Sequence, residues 1–176
     1  FNFEYLPSPL DTQKFSDISD VTKIENQVAY VGRDSYEKGI DIIKQAESKI
    51  DGHVTYCTDR SWNDAMKIIK SSQVVVVPSR MESLPTTVKE AFYLNVPVVA
   101  TNVGGIPELI KDNETGILVP SENPDKLANA VNELLSDKQK AKRLANNGNK
   151  FVKSNMTWDI ILPKYIQFYE DLLATS

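Results

Sequence analysis

The stretch VVVVP, residues 74–78, sets four branched apolar side chains in succession with no polar alternation. A strand with one wet face alternates, so an unbroken run of this kind marks a strand covered on both faces. Four more short runs read as strands: VAYVG (28–32), HVTYCT (53–58), PVVAT (97–101) and GILVP (116–120). Between them lie segments of helical spacing. KGIDIIKQAESKI (38–50) carries Ile40, Ile43, Ala46 and Ile50 on one face, and SWNDAMKIIKSS (61–72) repeats the pattern. A helix over about 86–94 and a short one at IPELIK follow, and from Asp125 the chain reads as helix to its end. Pro163 is expected to kink or restart the last helix. Alternating strands and helices predict an α/β fold with a doubly wound, mainly parallel, Rossmann-like sheet. Ligands of such sheets bind outside the carboxyl ends of the strands. Residues 1–27, polar and carrying Pro7 and Pro9, read as a linker ahead of this body.

Composition narrows the chemistry. The 176 residues suit one domain, and the net charge of −4 argues against nucleic acid as the main partner. Cys57 and His53 are single copies, so an internal disulfide, an all-Cys metal site and a His-rich metal site are excluded. His53 opens a strand, away from the carboxyl ends, and reads as structural or solvent-facing. Trp62, Trp158, Tyr165, Phe168 and Tyr169 read as packing aromatics on helices. No apolar run approaches the ~20 residues that span a bilayer. The opening FNFEYLPSPLD lacks an initiator Met, which suggests a piece of a longer protein.

The strand ends hold the residues with chemical potential. Arg33 follows the first strand and Lys38 opens the first helix, a rigid fork beside a mobile point charge that suits a phosphate or diphosphate. Two surface cations are an equally good reading of the spacing alone. Ser83, Leu84, Pro85 and Thr86 lead into a helix whose free amides favour anions, though by only ~0.3–1 kcal/mol. Arg33 and Lys38 could add about 1.5–3 kcal/mol each, against the ~8 kcal/mol that micromolar binding needs. Glu82 and Glu90 stand eight positions apart. Thr87-Val88-Lys89-Glu90 fits a capping box, and spacing alone favours that role for Glu90. Glu82 lies in a loop at a strand end and has no evident structural task. A paired-carboxylate glycosidase is conceivable, but the cations suit a phosphorylated substrate better. Gly104-Gly105 allows an unusual turn, and no G-x-G-x-x-G occurs.

YVGRDSYEKGIDIIKQA and VVVVPSRMESLPTTVKEAFYLNVPVVATNVGGIPELIKDNETGILVP resemble the C-terminal, nucleotide-sugar-binding domain of the retaining family 4 glycosyltransferases, the C-terminal half of a GT-B fold. The resemblance is strongest over residues 28–135. It implies a donor-binding domain at 28–155 and a closing crossover helix at 156–176. The family's Glu-x7-Glu motif falls on Glu82 and Glu90. By resemblance Glu82 faces the donor sugar, Glu90 holds the ribose, and Arg33 and Lys38 grip the diphosphate beside Gly32. Ser83, Leu84, Pro85 and Thr86 form the loop over sugar and phosphate, Pro85 without an N–H to give. Glu82, Arg33 and Lys38 are the implied catalytic residues, with no metal and no cofactor beyond the nucleotide-diphosphate sugar.

One βα unit usual in the family is missing between Arg33 and the VVVVP strand, which bears on the nucleobase side. The resemblance further implies an acceptor, a glycan or lipid-linked sugar, held by an absent N-terminal domain. The chain alone is then expected to bind donor weakly and transfer nothing. A cytoplasmic protein open to peripheral membrane contact fits this picture. The rivals are a non-catalytic nucleotide-binding or scaffolding module, and a nucleotide-sugar epimerase or phosphorylase of the same architecture.

Overall fold

The computed structural model describes residues 6–174. Among the described residues the strands and α-helices are, in chain order, β1 (Gln27–Val31), α1 (Ile40–Ala46), β2 (His53–Cys57), α2 (Trp62–Ser71), β3 (Val74–Val77), α3 (Thr86–Tyr93), β4 (Val98–Thr101), α4 (Ile106–Leu109), β5 (Ile117–Val119), α5 (Pro124–Ser136), α6 (Lys138–Asn155) and α7 (Trp158–Ala174). The five strands form one parallel sheet in the order β2-β1-β3-β4-β5. From β1 the chain first adds β2 on one side, then crosses to add β3 on the other. The order therefore reverses between β1 and β3, and that switch point is where such sheets open a crevice.

The valine run does what its composition demands. Val75 and Val77 enter a core built with Met66 and Ile69 of α2 and Val88 and Phe92 of α3. Val74 and Val76 enter a second core with Ile43 of α1 and Leu127 and Val131 of α5. All four are buried, and each is worth roughly 1.5–3 kcal/mol of transfer from water.

Three expectations are revised. The helix expected over 38–50 is α1 flanked by 3-10 turns at Tyr36–Lys38 and Glu47–Lys49, so Lys38 sits in a turn ahead of it. Gly39 causes the break: its φ is 65°, and a Cβ there would lie 2.1 Å from the Pro78 carbonyl oxygen. Of residues 1–27, expected as a linker, 1–5 lie outside the described residues, and the rest is tied to the body at a few points. Leu10, Phe15 and Ile18 are buried, and the Leu10 amide donates to the Met156 carbonyl at 2.6 Å. α7 runs through Pro163 without restarting. Of its expected packing aromatics, Trp158 and Tyr169 are exposed.

Candidate functional site

A cleft of about 650 Å³ opens at the switch point. Arg33, Glu37 and Lys38 line it from the loop after β1, and Arg80, Met81, Glu82 and Ser83 from the loop after β3. Gly104, after β4, lines it as well. The parallel register sets β1 beside β3, so the two loops emerge side by side. The Tyr30 hydroxyl, on a fully buried ring, donates to the Arg33 carbonyl at 2.8 Å and fixes the first loop. Burial pushes that hydroxyl well above the ordinary phenol range, helped by the charges of Asp34, Asp41 and Glu82.

Lys38 and Glu82 meet in the cleft. The ammonium lies 2.6 Å from Glu82 Oε1, and the Ser79 hydroxyl donates to the same oxygen at 3.0 Å. Glu82 thus has the structural partner that its loop position hid. Thr101 at the end of β4 donates its hydroxyl to the Ser79 carbonyl at 2.5 Å, carrying the support one strand further.

Gly104 and Gly105 press backbone against the Glu82–Ser83 loop. The Gly105 amide donates to the Glu82 carbonyl at 3.1 Å. A Cβ on Gly104 would stand 1.9 Å from Glu82 O, and one on Gly105 would stand 1.6 Å from Ser83 O. Only residues without a side chain allow this approach.

Arg80 lines the cleft with its guanidinium turned into the protein. Nε donates to Glu122, NH1 to the Tyr36 carbonyl and to Asp41 at 2.7 Å each, and NH2 to Asp41 at 2.7 Å and Glu122 at 3.1 Å. The Arg80 amide donates to the Glu37 carbonyl at 2.8 Å. Hydrogen bonding to Arg80 holds the Asp41 carboxyl below its usual range.

The other predicted residues fall outside the cleft lining. Gly32 borders a small void beneath it, together with Lys38 and Glu82. Leu84 packs on the core, Pro85 is the buried N-cap of α3, and Thr86 is its exposed first residue. The capping-box reading of Glu90 fails, because α3 starts at Thr86 and leaves Thr87 inside the helix. Glu90 is buried, and its Oε1 accepts from the Trp62 indole N–H at 2.7 Å. Burial raises its carboxyl above the usual range, opposed by the Trp62 hydrogen bond and the charge of Lys89. Lys89 is itself buried and donates to the Ser8 carbonyl and hydroxyl oxygens at 2.9 and 3.0 Å.

Sequence reasoning missed two roles. Trp62 was read as packing alone, although a buried indole N–H seeks an acceptor and so pointed to one. Arg80 stands two residues before Glu82 at a strand end, the same signal that singled out Arg33. His53 is exposed at the start of β2, as its position implied. Among the described residues no group of three or more His, Cys, Asp or Glu could hold a metal ion, and no helix is long and apolar enough to cross a membrane.

Residues 45–151 match the family described as Glycosyl transferases group 1. An uncharacterized glycosyltransferase of Methanocaldococcus jannaschii is 30% identical over 175 residues, covering 83% of this chain and 45% of that protein. The GDP-mannose-dependent alpha-(1-6)-phosphatidylinositol monomannoside mannosyltransferase of Mycobacterium tuberculosis is 36% identical over 88 residues, 50% of this chain and 23% of its own. Among solved structures, sucrose-phosphate synthase from Thermosynechococcus elongatus superposes with a TM-score of 0.79 at 28% identity, over 86% of this chain and 46% of that one. Anabaena HepE, solved in complex with UDP and glucose, gives a TM-score of 0.73 at 20% identity, over 85% and 48%. The chain spans about half the length, or less, of the curated relatives it matches.

Proposed function

The chain belongs to the glycosyl transferases group 1 family, and from that premise we propose that it is the half of a GT-B glycosyltransferase that binds a nucleoside-diphosphate sugar. One juxtaposition carries the proposal: Arg33, Lys38 and Glu82, from two loops, line a single cleft at the switch point of the sheet. The GDP-mannose-dependent relative and the UDP-bound neighbour support the same ligand class.

In this reading Arg33 and Lys38 take the diphosphate. Their charge-assisted hydrogen bonds strengthen as negative charge gathers on the departing phosphate, which lowers the barrier to sugar transfer. The Lys38–Glu82 pair keeps both charges satisfied before donor enters. Glu82 then lies beside the cationic groups, facing the sugar, and Glu90 serves the ribose. The sugar is a hexose, transferred with retention of configuration and without a metal. Its acceptor is held by the remainder of a longer polypeptide.

Titration of the protein with UDP and GDP by calorimetry tests the core of this. Arg33→Ala is expected to weaken nucleoside-diphosphate binding about tenfold or more, the equivalent of losing one charge-assisted hydrogen bond. An affinity equal to wild type would count against the assignment.

A further inference from the structure

We propose that Arg80 is the positioning residue of the donor cleft: it binds no ligand but holds the loop of Lys38 and the loop of Glu82 in register. This rests on the donor-binding reading above. The observation behind it is the complete use of the guanidinium. A guanidinium has five N–H donors, and each has an acceptor here, shared among Asp41, Glu122 and the Tyr36 carbonyl. The Tyr36 ring stacks on its face, with the guanidinium carbon 3.9 Å from the ring centroid. No donor is left to face the cleft that the residue lines.

The partners belong to three different loops or elements. Tyr36 and Glu37 lie in the turn that ends at Lys38, Asp41 lies in the first turn of α1, and Glu122 lies between β5 and α5. The Arg80 and Met81 amides both point to the Glu37 carbonyl, at 2.8 and 3.4 Å, so the backbone beside Lys38 is tied to the backbone beside Glu82. Glu122 adopts φ 58°, a conformation uncommon for residues other than glycine, and both its carboxylate oxygens accept from Arg80. A planar fork offers two carboxylates five donors in fixed directions, whereas a lysine ammonium offers three around a single point charge. The Arg80 side chain is only 10% exposed, against 28% for Lys38, which places the clamp behind the group that meets ligand.

Calorimetry with UDP and GDP, run beside thermal melts, separates this from its rivals. Arg80→Lys preserves net charge, and Asp41→Asn and Glu122→Gln weaken the clamp at half-exposed carboxylates. All three are expected to weaken nucleoside-diphosphate binding by about tenfold, one decade of dissociation constant. Arg80→Lys is expected to cost less affinity on top of Lys38→Met than in the wild-type protein, because Arg80 acts in part through Lys38, and an equal cost in both would overturn the proposal. Tighter binding by Asp41→Asn would mean that a freed guanidinium is itself a ligand, and would overturn the proposal. Melting temperatures that fall while affinities stay at the wild-type value would reduce Arg80 to a structural staple and overturn it equally. If wild type binds neither UDP nor GDP, the donor-binding reading fails and this inference fails with it. Wild-type binding with an unchanged Arg80→Lys removes the role of Arg80 alone.

Discussion

Glu90 puts a carboxylate where burial opposes its charge, so its contribution to stability has a definite sign. Its folded-state proton affinity is raised by desolvation, which outweighs the Trp62 hydrogen bond and the nearby Lys89 ammonium. A raised carboxyl binds its proton more readily folded than unfolded. Stability is then fullest below the ordinary carboxylate range and is lost as pH rises through the folded value. At pH 8 wild type carries this penalty. Glu90→Gln, with an amide oxygen still able to accept from Trp62, is expected to raise the melting temperature by a few degrees, at about 2–4 °C per kcal/mol for this length. The gain should vanish near pH 4, a shape that melts across a pH series would show. Under the proposed function the same variant binds nucleoside diphosphate more weakly, a stability gain set against function. That Glu82, Arg33 and Lys38 share one end of the sheet was legible in sequence, because each lies in a segment that follows a strand end. The partners of Glu90 and Arg80 were not, since Trp62 is 28 residues from Glu90 and Asp41 is 39 from Arg80.

The elements were legible wherever local pattern and tertiary role agree. The four valines of β3 read as doubly covered and alternate between two cores. The start of α1 was misread because the cause is distant: the Pro78 carbonyl crowds Gly39 and leaves no room for a side chain. Gly104-Gly105 looked weak for the same reason, as its partner is the loop after β3. Gly105→Ala tests that packing directly. Its φ of −86° suits any residue, so the effect is steric rather than conformational. A Cβ 1.6 Å from the Ser83 carbonyl oxygen must push the Glu82–Ser83 loop away from β4. Because overpacking costs roughly 1–3 kcal/mol, the expected outcome is a melting temperature several degrees lower. Nucleoside-diphosphate affinity should fall at least tenfold, since the displaced loop carries Glu82. A Gly105→Ala protein with unchanged affinity would show that the loop's position does not govern binding.

At the scale of the whole molecule, the two ends of the described chain join each other as well as the body. Leu10 bridges to Thr157, the Tyr165 hydroxyl donates to the Leu6 carbonyl at 3.3 Å, and Lys89 holds Ser8. Sequence marked this entry segment as polar because most of its residues are, and three buried apolar side chains are too few to show a period. α7 makes the opposite case, since its aromatics read as packing residues in sequence. Ile161 is fully buried, yet Leu162, Ile166, Tyr169, Leu172 and Leu173 are each exposed by 46% or more. Those side chains form an apolar surface beyond what scattered exposure explains. Its energetics predict a contrast along one helix. Ile161→Ala empties a buried site, which costs about 2–5 kcal/mol and lowers the melting temperature by ~4–20 °C. The triple variant Leu162→Lys, Ile166→Lys and Leu173→Lys places three charges at water-facing positions and empties no buried site. Its melting temperature should stay within about 3–6 °C of wild type, since surface changes are typically within ~0.5 kcal/mol each. Light scattering at rising concentration should show less self-association for that variant, because charge now interrupts the apolar face. A large fall in its melting temperature would mean that α7 packs on the body through this face instead of through Ile161.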